Sequence, residues 1–217
     1  LIPAASAIIL LFLQNNLLGF GSNLPMLMLR LFTFAIFPMF LFMAASEAFS
    51  GEVAARTVKL GLIRPITRSK FFASKVLALA ISIAVLLGLL LISTVLFGWM
   101  ATGGNIMNGL LDIVMAYVAA FVSMLAIGLV SVFIAQFFNT SNGAMAFFIL
   151  IYAAARLLPF IFPQFSVWSV FSYTNWYVLW IGNGATLTKL TNTFFLLLSY
   201  CIMAYSGGLI LFEKKQF

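Results

Sequence analysis

Few residues in this chain could carry out acid–base or metal chemistry. Its 217 residues include no histidine, one cysteine (Cys201) and four acidic side chains, of which only Asp112 is an aspartate. The common serine–histidine and zinc-dependent enzymes need a histidine, and a proton-sharing aspartate pair needs two aspartates. The phosphate-loop pattern GxxxxGK[ST] is also missing from the sequence. We therefore predict a chain that is not an enzyme, holds no metal and does not bind ATP by that loop.

The charged residues that remain are concentrated in the segment 47–75. Glu47 and Glu52 open it, and it holds six of the 11 basic residues. These six are Arg56, Lys59, Arg64, Arg68, Lys70 and Lys75. They are not interleaved with stacking aromatic residues, as in a groove that binds single-stranded nucleic acid, so we expect no nucleic-acid partner.

The first half of this segment has the pattern of a short amphipathic helix. Ser50 is a good N-cap, and Glu52 and Arg56 form an oppositely charged i,i+4 pair. Lys59 continues the charged stripe, and Pro65 ends the helix. The pattern predicts a helix over about 51–64 with two open roles. It could lie on the membrane surface against anionic lipid, or it could dock a cytosolic partner.

The composition places the elements around this segment in a lipid bilayer. Apolar residues make up 65% of the chain and charged residues 7%, against about 45–50% and 25% in soluble proteins. Uncharged runs long enough to cross a membrane predict an all-α integral membrane protein with one transmembrane domain of six helices. The predicted spans are about 1–18, 31–48, 71–98, 113–137, 144–162 and 187–212.

The basic residues also predict an orientation. The segments 51–75, 136–143 and 213–217 contain eight Lys or Arg, whereas the opposite loops contain two. Because basic loops stay in the cytoplasm, both termini are expected there, in a multi-pass protein of the cell membrane, such as a bacterial inner membrane. The outer segment 164–186 is rich in Trp and Tyr. It is expected to lie at headgroup depth or to re-enter the membrane.

The region between the second and third predicted spans resembles the permease subunits of the ABC-2 family of ATP-binding cassette transporters. Glu52 is followed by the predicted helix, the turn RPITRSK at 64–70 and Lys75. An acidic residue, a short helix, a P-[IV]-[ST]-R turn and a downstream lysine are common there in the family. The six-span layout extends the resemblance to nearly the whole chain. The family's N-terminal elbow helix would precede Leu1.

The resemblance implies a role for the predicted helix. It would be a coupling helix that contacts a separate ATPase subunit, which would bind ATP and Mg²⁺. A second permease chain, identical or related, would complete the transporter beside membrane lipid. The contact residues implied are Glu47, Glu52, Arg56, Lys59, Arg64, Pro65 and Arg68. The expected function is export of a hydrophobic or amphipathic substrate, such as a peptide, drug or lipid.

Four further residues are candidates near the outer side. Arg156 lies within a predicted span, where a charge usually faces protein or water, so it could line a pathway, pair helices or reach the surface. Trp168, Tyr173 and Trp176 could form an outer gate or a simple interfacial belt.

Two alternatives to an ABC permease remain open. One is a secondary transporter driven by an ion gradient. Such proteins tend to have acidic residues at the membrane midplane, where we expect this chain to have none. The other is a non-transporting membrane sensor or assembly partner.

Overall fold

The computed structural model describes residues 24–55, 67–102, 109–161, 169–181 and 187–214, and their regular structure is helical throughout. Five helices in these ranges are long and apolar enough to cross a membrane. They cover Pro25–Ala54, Arg68–Met100, Leu110–Ala135, Ser141–Pro159 and Thr188–Lys214. The sixth predicted span, 1–18, lies outside the described residues and stays a prediction.

The first of these helices, α1 (Pro25–Ala54), changes its hydrogen-bond pattern twice. Its α-helical parts are joined by two π-helical stretches, Phe32–Ile36 and Ser46–Gly51. Such stretches are rare and often lie at functional sites. At 30 residues α1 is about 45 Å long and exceeds the hydrocarbon thickness of about 30 Å, whereas the 18 residues of the predicted span 31–48 would reach only about 27 Å.

The expectation that Ser50 caps a new helix is wrong. The helix continues through Ser50 and Gly51 to Ala54 in right-handed α geometry. The Ser50 hydroxyl instead donates a 2.6 Å hydrogen bond to the carbonyl of Ala135. This carbonyl belongs to the last turn of another helix, where intrahelical donors run out. Residues 51–55 therefore end α1, and residues 56–64 of the predicted coupling helix lie outside the described residues.

The remaining helices follow in an antiparallel arrangement around a buried centre. They are α2 (Arg68–Thr102), α3 (Leu110–Ala135), α4 (Ser141–Ile161), α5 (Val178–Ile181) and α6 (Leu187–Lys214). A short 3₁₀ helix, Val170–Asn175, precedes α5. The most buried span is α3. In its apolar stretch 61% of the residues are buried inside the protein, against 22% or less in those of α2, α4 and α6. The bundle is therefore built around α3.

Small residues on α3 allow this central position. Ala116, Ala120 and Ala126 are fully buried, and a Cβ on Gly128 would lie 2.7 Å from Cδ2 of Leu79 on α2. The same position would be 3.6 Å from Leu41 on α1. Without a hydrophobic driving force between helices in lipid, close backbone approach at small residues is what holds them together.

The bundle has two chemically different ends. At one end Glu47 contacts Ser141 and Arg68 contacts Glu213, so we call it the charged end. At the other end, Trp176 contacts Ala119, and we call it the aromatic end. The described parts of the three basic segments, 51–75, 136–143 and 213–217, all lie at the charged end, as one side of a membrane protein requires.

Replacing Gly128 with Leu should loosen the junction of α1, α2 and α3. The added side chain has no room between Leu79 and Leu41, and overpacking a core typically costs about 1–3 kcal/mol. We expect a lower thermal unfolding temperature of the purified protein in detergent. Gly88→Leu on α2 is the matched control because nothing lies within 4 Å of its Cβ position. Equal unfolding temperatures for the two variants would contradict the packing assigned to Gly128.

Candidate functional site

An ion pair joins the end of α1 to the beginning of α2 at the charged end. The Lys75 ammonium donates to the Glu52 carboxylate and, at 2.5 Å, to the carbonyl of Ala48. It also lies over the rings of Phe49 and Phe71, 5.2 and 4.9 Å from their centroids. The Lys75 side chain is 12% exposed and that of Glu52 37%, so the pair is shielded on the lysine side.

The backbone of α1 explains why Lys75 finds a carbonyl there. Within the π-helical stretch, the amide of Glu52 donates to the carbonyl of Phe49 and not to that of Ala48, four residues back. The Ala48 carbonyl thus loses its usual α-helical donor, and a buried carbonyl needs a partner. Lys75 therefore replaces the donor that the irregular backbone of α1 takes away from the Ala48 carbonyl.

A second contact at this end involves Glu47, which is exposed on α1. The Ser141 hydroxyl donates a 2.8 Å hydrogen bond to Oε1 of Glu47. Ser141 begins α4, and the positive end of a helix dipole favours a carboxylate. Gly51 makes room for this contact, since a Cβ there would lie 3.0 Å from Oε2 of Glu47. Glu47 therefore joins α1 to α4.

A third contact joins the start of α2 to the end of α6. The Arg68 guanidinium donates a 2.9 Å hydrogen bond to the carbonyl of Glu213. A basic side chain at a helix C-terminus satisfies an orphan carbonyl and complements the negative end of the dipole. Glu47 and Arg68 thus each bind a helix end, and Glu52 binds Lys75 in the second turn of α2. The other residues assigned to ATPase contact, Arg56, Lys59, Arg64 and Pro65, lie outside the described residues, and their role stays a prediction.

Sequence reasoning gave Ser50 only the capping role that the structure contradicts, and it assigned no contact to Lys75. The expected pairing of Glu52 with Arg56 stays a prediction because Arg56 lies outside the described residues, and the structure pairs Glu52 with Lys75, 23 residues away. A spacing of 23 residues carries no signal in a single sequence, so only the packing of α2 against α1 could reveal this pair.

At the aromatic end, Arg156 of α4 connects three segments. Its Nε and Nη2 donate to the Tyr152 hydroxyl at 3.2 and 2.9 Å, and Nη2 also donates to Oγ1 of Thr174 at 3.0 Å. The guanidinium lies 4.5 Å from the ring centroid of Phe34 on α1. Arg156 thus joins α4 to α1 and to the 3₁₀ helix. A role for it in a transport pathway stays a prediction.

Proline chemistry accounts for the position of Tyr152. Pro38 has no N–H, so the carbonyl of Phe34, four residues earlier, lacks its usual α-helical donor. The Tyr152 hydroxyl donates to this carbonyl while accepting from Arg156. The first π-helical stretch of α1 is therefore bound by a neighbouring side chain, as the second is by Lys75.

The 3₁₀ helix and α5 pack into the aromatic end. Trp176 is 4% exposed, and its indole N–H donates a 2.8 Å hydrogen bond to the carbonyl of Ala119 on α3. Tyr173 is half-buried and packs against the same core, and Trp168 lies outside the described residues. Trp176 is therefore inserted into the bundle. An outer-gate role for the three residues stays a prediction.

An apolar cavity of about 520 Å³ lies beside Trp176, between α3 and α6. Val118, Trp180 and Phe194 are among its lining residues. The cavity is partly open, so it is accessible from the surface of the bundle.

Tyr152→Phe should destabilise the aromatic end. The variant keeps the ring but removes the hydroxyl that serves both the Phe34 carbonyl and Arg156. Side-chain hydrogen bonds in membrane proteins are worth about 0.6 kcal/mol and at most about 1.7, and three are lost here. We expect a measurable fall in the thermal unfolding temperature in detergent. Tyr205→Phe, at an exposed tyrosine of α6, is the control and should change it little. An unchanged Tyr152→Phe variant would refute the bridging role.

Comparison with known proteins identifies the family. The model of the ABC-2 family transporter protein matches residues 2–156, well over half of the chain. No curated protein and no solved structure gives a significant match. The matched residues include Glu47, Glu52, Lys75 and Arg156, which lie at the two ends described above. With five helices long enough to cross a membrane, the chain belongs to the ABC-2 transporter family as a membrane component.

Proposed function

We propose that this chain is the permease subunit of an ATP-driven exporter for a hydrophobic or amphipathic substrate. Membership of the ABC-2 family supports transport, and the absence of a phosphate-loop motif from the sequence supports an ATPase on a separate polypeptide. ATP and Mg²⁺ would bind to that subunit. A second permease chain, identical or related, would complete the pathway in the cell membrane, with the charged end in the cytoplasm.

The observation that carries this proposal is the set of contacts around the coupling segment, 51–64. Where the described residues reach it, the end of α1 is joined to α2 by Glu52 and Lys75 and to α4 by Glu47 and Ser141. Ser50 adds a hydrogen bond to the end of α3. A displacement of the coupling segment by an ATPase would therefore act on four helices at once.

The same helix leads to the aromatic end. The chain of α1 is helical without a break from Leu24 to Ala54, and its outer π-helical stretch contacts Tyr152 and Arg156. Closing of the ATPase dimer on ATP would tilt or shift α1 and thereby bias the aromatic end between closed and open states. The bundle would thus have two states, and ATP bound to the distant ATPase would change the equilibrium between them.

The apolar cavity between α3 and α6 supports a hydrophobic or amphipathic substrate. Its walls are almost entirely aliphatic and aromatic, which suits a peptide, drug or lipid with a large apolar surface. Trp176 is one of the residues that line this cavity, which supports its proposed part in an outer gate.

The positions of the carboxylates argue against an ion-gradient-driven transporter. All four acidic side chains of the chain are described: Glu47, Glu52 and Glu213 lie at the charged end, and Asp112 lies in the first turn of α3. The midplane therefore has no carboxylate to bind a proton or a sodium ion.

A charge swap tests the coupling role directly. The tagged chain is expressed with its neighbouring genes, and both co-elution of an ATPase subunit and stimulated ATP hydrolysis are measured. Glu52→Lys should abolish the stimulated hydrolysis, since it places two cations together at the base of α2. If the ion pair acts within the permease, the double variant Glu52→Lys with Lys75→Glu should recover most of it.

Lys214→Glu is the matched control because it reverses an exposed charge at the same end. It should leave stimulated ATP hydrolysis within about twofold of the wild-type value. A double variant that stays inactive although folded would show that the Glu52 carboxylate is needed by the partner itself. Full activity in Glu52→Lys alone would refute any coupling role for this pair.

A further inference from the structure

The positive charge of Arg156 has no carboxylate to balance it. All four acidic side chains of the sequence are described, three of them lie at the opposite end, and none forms an ion pair with Arg156. Asp112 shares the aromatic end but is exposed at the start of α3. Within membrane proteins, charged residues usually pair with one another or with backbone carbonyls. Among the described residues, the contacts of Arg156 are with neutral hydroxyls and aromatic rings.

Part of the guanidinium is still free to bind. Nε and Nη2 make the hydrogen bonds to Tyr152 and Thr174, whereas Nη1 makes none to the residues that the structure describes. The side chain is half-buried, so it is held in place and yet accessible. A fixed planar guanidinium with free N–H groups suits the oxygens of a phosphate.

A second arginine lies on the same side of α1. Arg30 precedes Phe34, whose ring contacts Arg156, by four residues, so the two share one helix face. Arg30 is exposed and forms no ion pair in the described part of the chain. An anion beside Arg156 would therefore be within the field of a second cation one helical turn away.

The depth of the site favours a phosphate group. The segment that contacts Arg156 contains Tyr173, Trp176 and Trp180, and Trp and Tyr concentrate where the lipid headgroups begin. Basic pockets between transmembrane helices bind lipid headgroups on the cytoplasmic side of membranes, and a guanidinium at headgroup depth offers the same chemistry to a phosphate on the other side.

We propose that Arg156, with Arg30, forms a binding site for a phosphate group at the aromatic end. A membrane phospholipid or a soluble phosphate ester could supply this group, and the two sources share the chemistry recognised here. The site is independent of the proposed transport function, because it depends only on the uncompensated charge and its surroundings.

The test measures lipid retention by the purified, delipidated protein in a neutral detergent. Phosphatidylglycerol and a diglucosyl diacylglycerol with the same acyl chains are compared by native mass spectrometry and by thermal shift. The wild type should retain phosphatidylglycerol about tenfold better than the phosphate-free lipid. Arg156→Gln, which keeps a polar side chain beside Tyr152, should remove this preference, and Arg156→Lys should keep part of it.

Lys189→Gln is the matched control, since it removes an exposed basic charge near the start of α6. It should change retention less than twofold. If Arg156→Gln fails to fold, Arg30→Gln tests the site instead. It should reduce the retention of phosphatidylglycerol several-fold. An equal loss in Lys189→Gln would overturn the site, and equal retention of the two lipids by the wild type would rule out a lipid ligand for it.

Inorganic phosphate, added without lipid, distinguishes the two sources. A thermal shift in the wild type but not in Arg156→Gln would support the site with a soluble ligand. No shift with phosphate, together with selective retention of phosphatidylglycerol, would support the site with a lipid ligand. Failure of both measurements would overturn the proposal and leave the coupling role of Glu52 and Lys75 unaffected.

Discussion

Inside a bilayer, a backbone carbonyl that loses its helical donor needs another partner, and two carbonyls of α1 find one in a neighbouring side chain. The Phe34 carbonyl loses its donor to Pro38 and accepts from Tyr152. The Ala48 carbonyl loses its donor in the second π-helical stretch and accepts from Lys75. Water cannot substitute in lipid, so these bonds fix how α2 and α4 are placed against α1.

The two positions lie at opposite ends of one helix, and each recruits a basic residue. Lys75 is neutralised by Glu52 at the charged end, whereas Arg156 has no carboxylate at the aromatic end. This difference separates the proposed functions of the two ends. A neutralised, shielded ion pair suits a joint that transmits displacement between helices. An uncompensated cation at headgroup depth suits the binding of an anion.

Close packing around α3 makes such transmission physically reasonable. Gly128 lets α1 and α2 approach α3 closely, and Ser50 binds the end of α3 from α1. Packed interfaces of this kind shift between discrete arrangements and do not deform continuously. A movement of α1 would therefore reach the cavity beside Trp176 through contacts that the structure contains.

The sequence alone determined the class of protein, five of the predicted membrane-spanning helices and the segment of interest. Long uncharged runs are decisive because a helix must be about 20 apolar residues long to cross the bilayer, and charges stand out where they interrupt such runs. The same signal located Arg156 and the cluster 47–75. It failed at Ser50, because a serine followed by a glutamate predicts a cap only if the chain has left the preceding helix.

Tertiary structure decided which residues are partners. The contacts of Glu52 with Lys75, Ser50 with Ala135 and Arg156 with Thr174 cross between segments, and no helical or strand period encodes contacts of that kind.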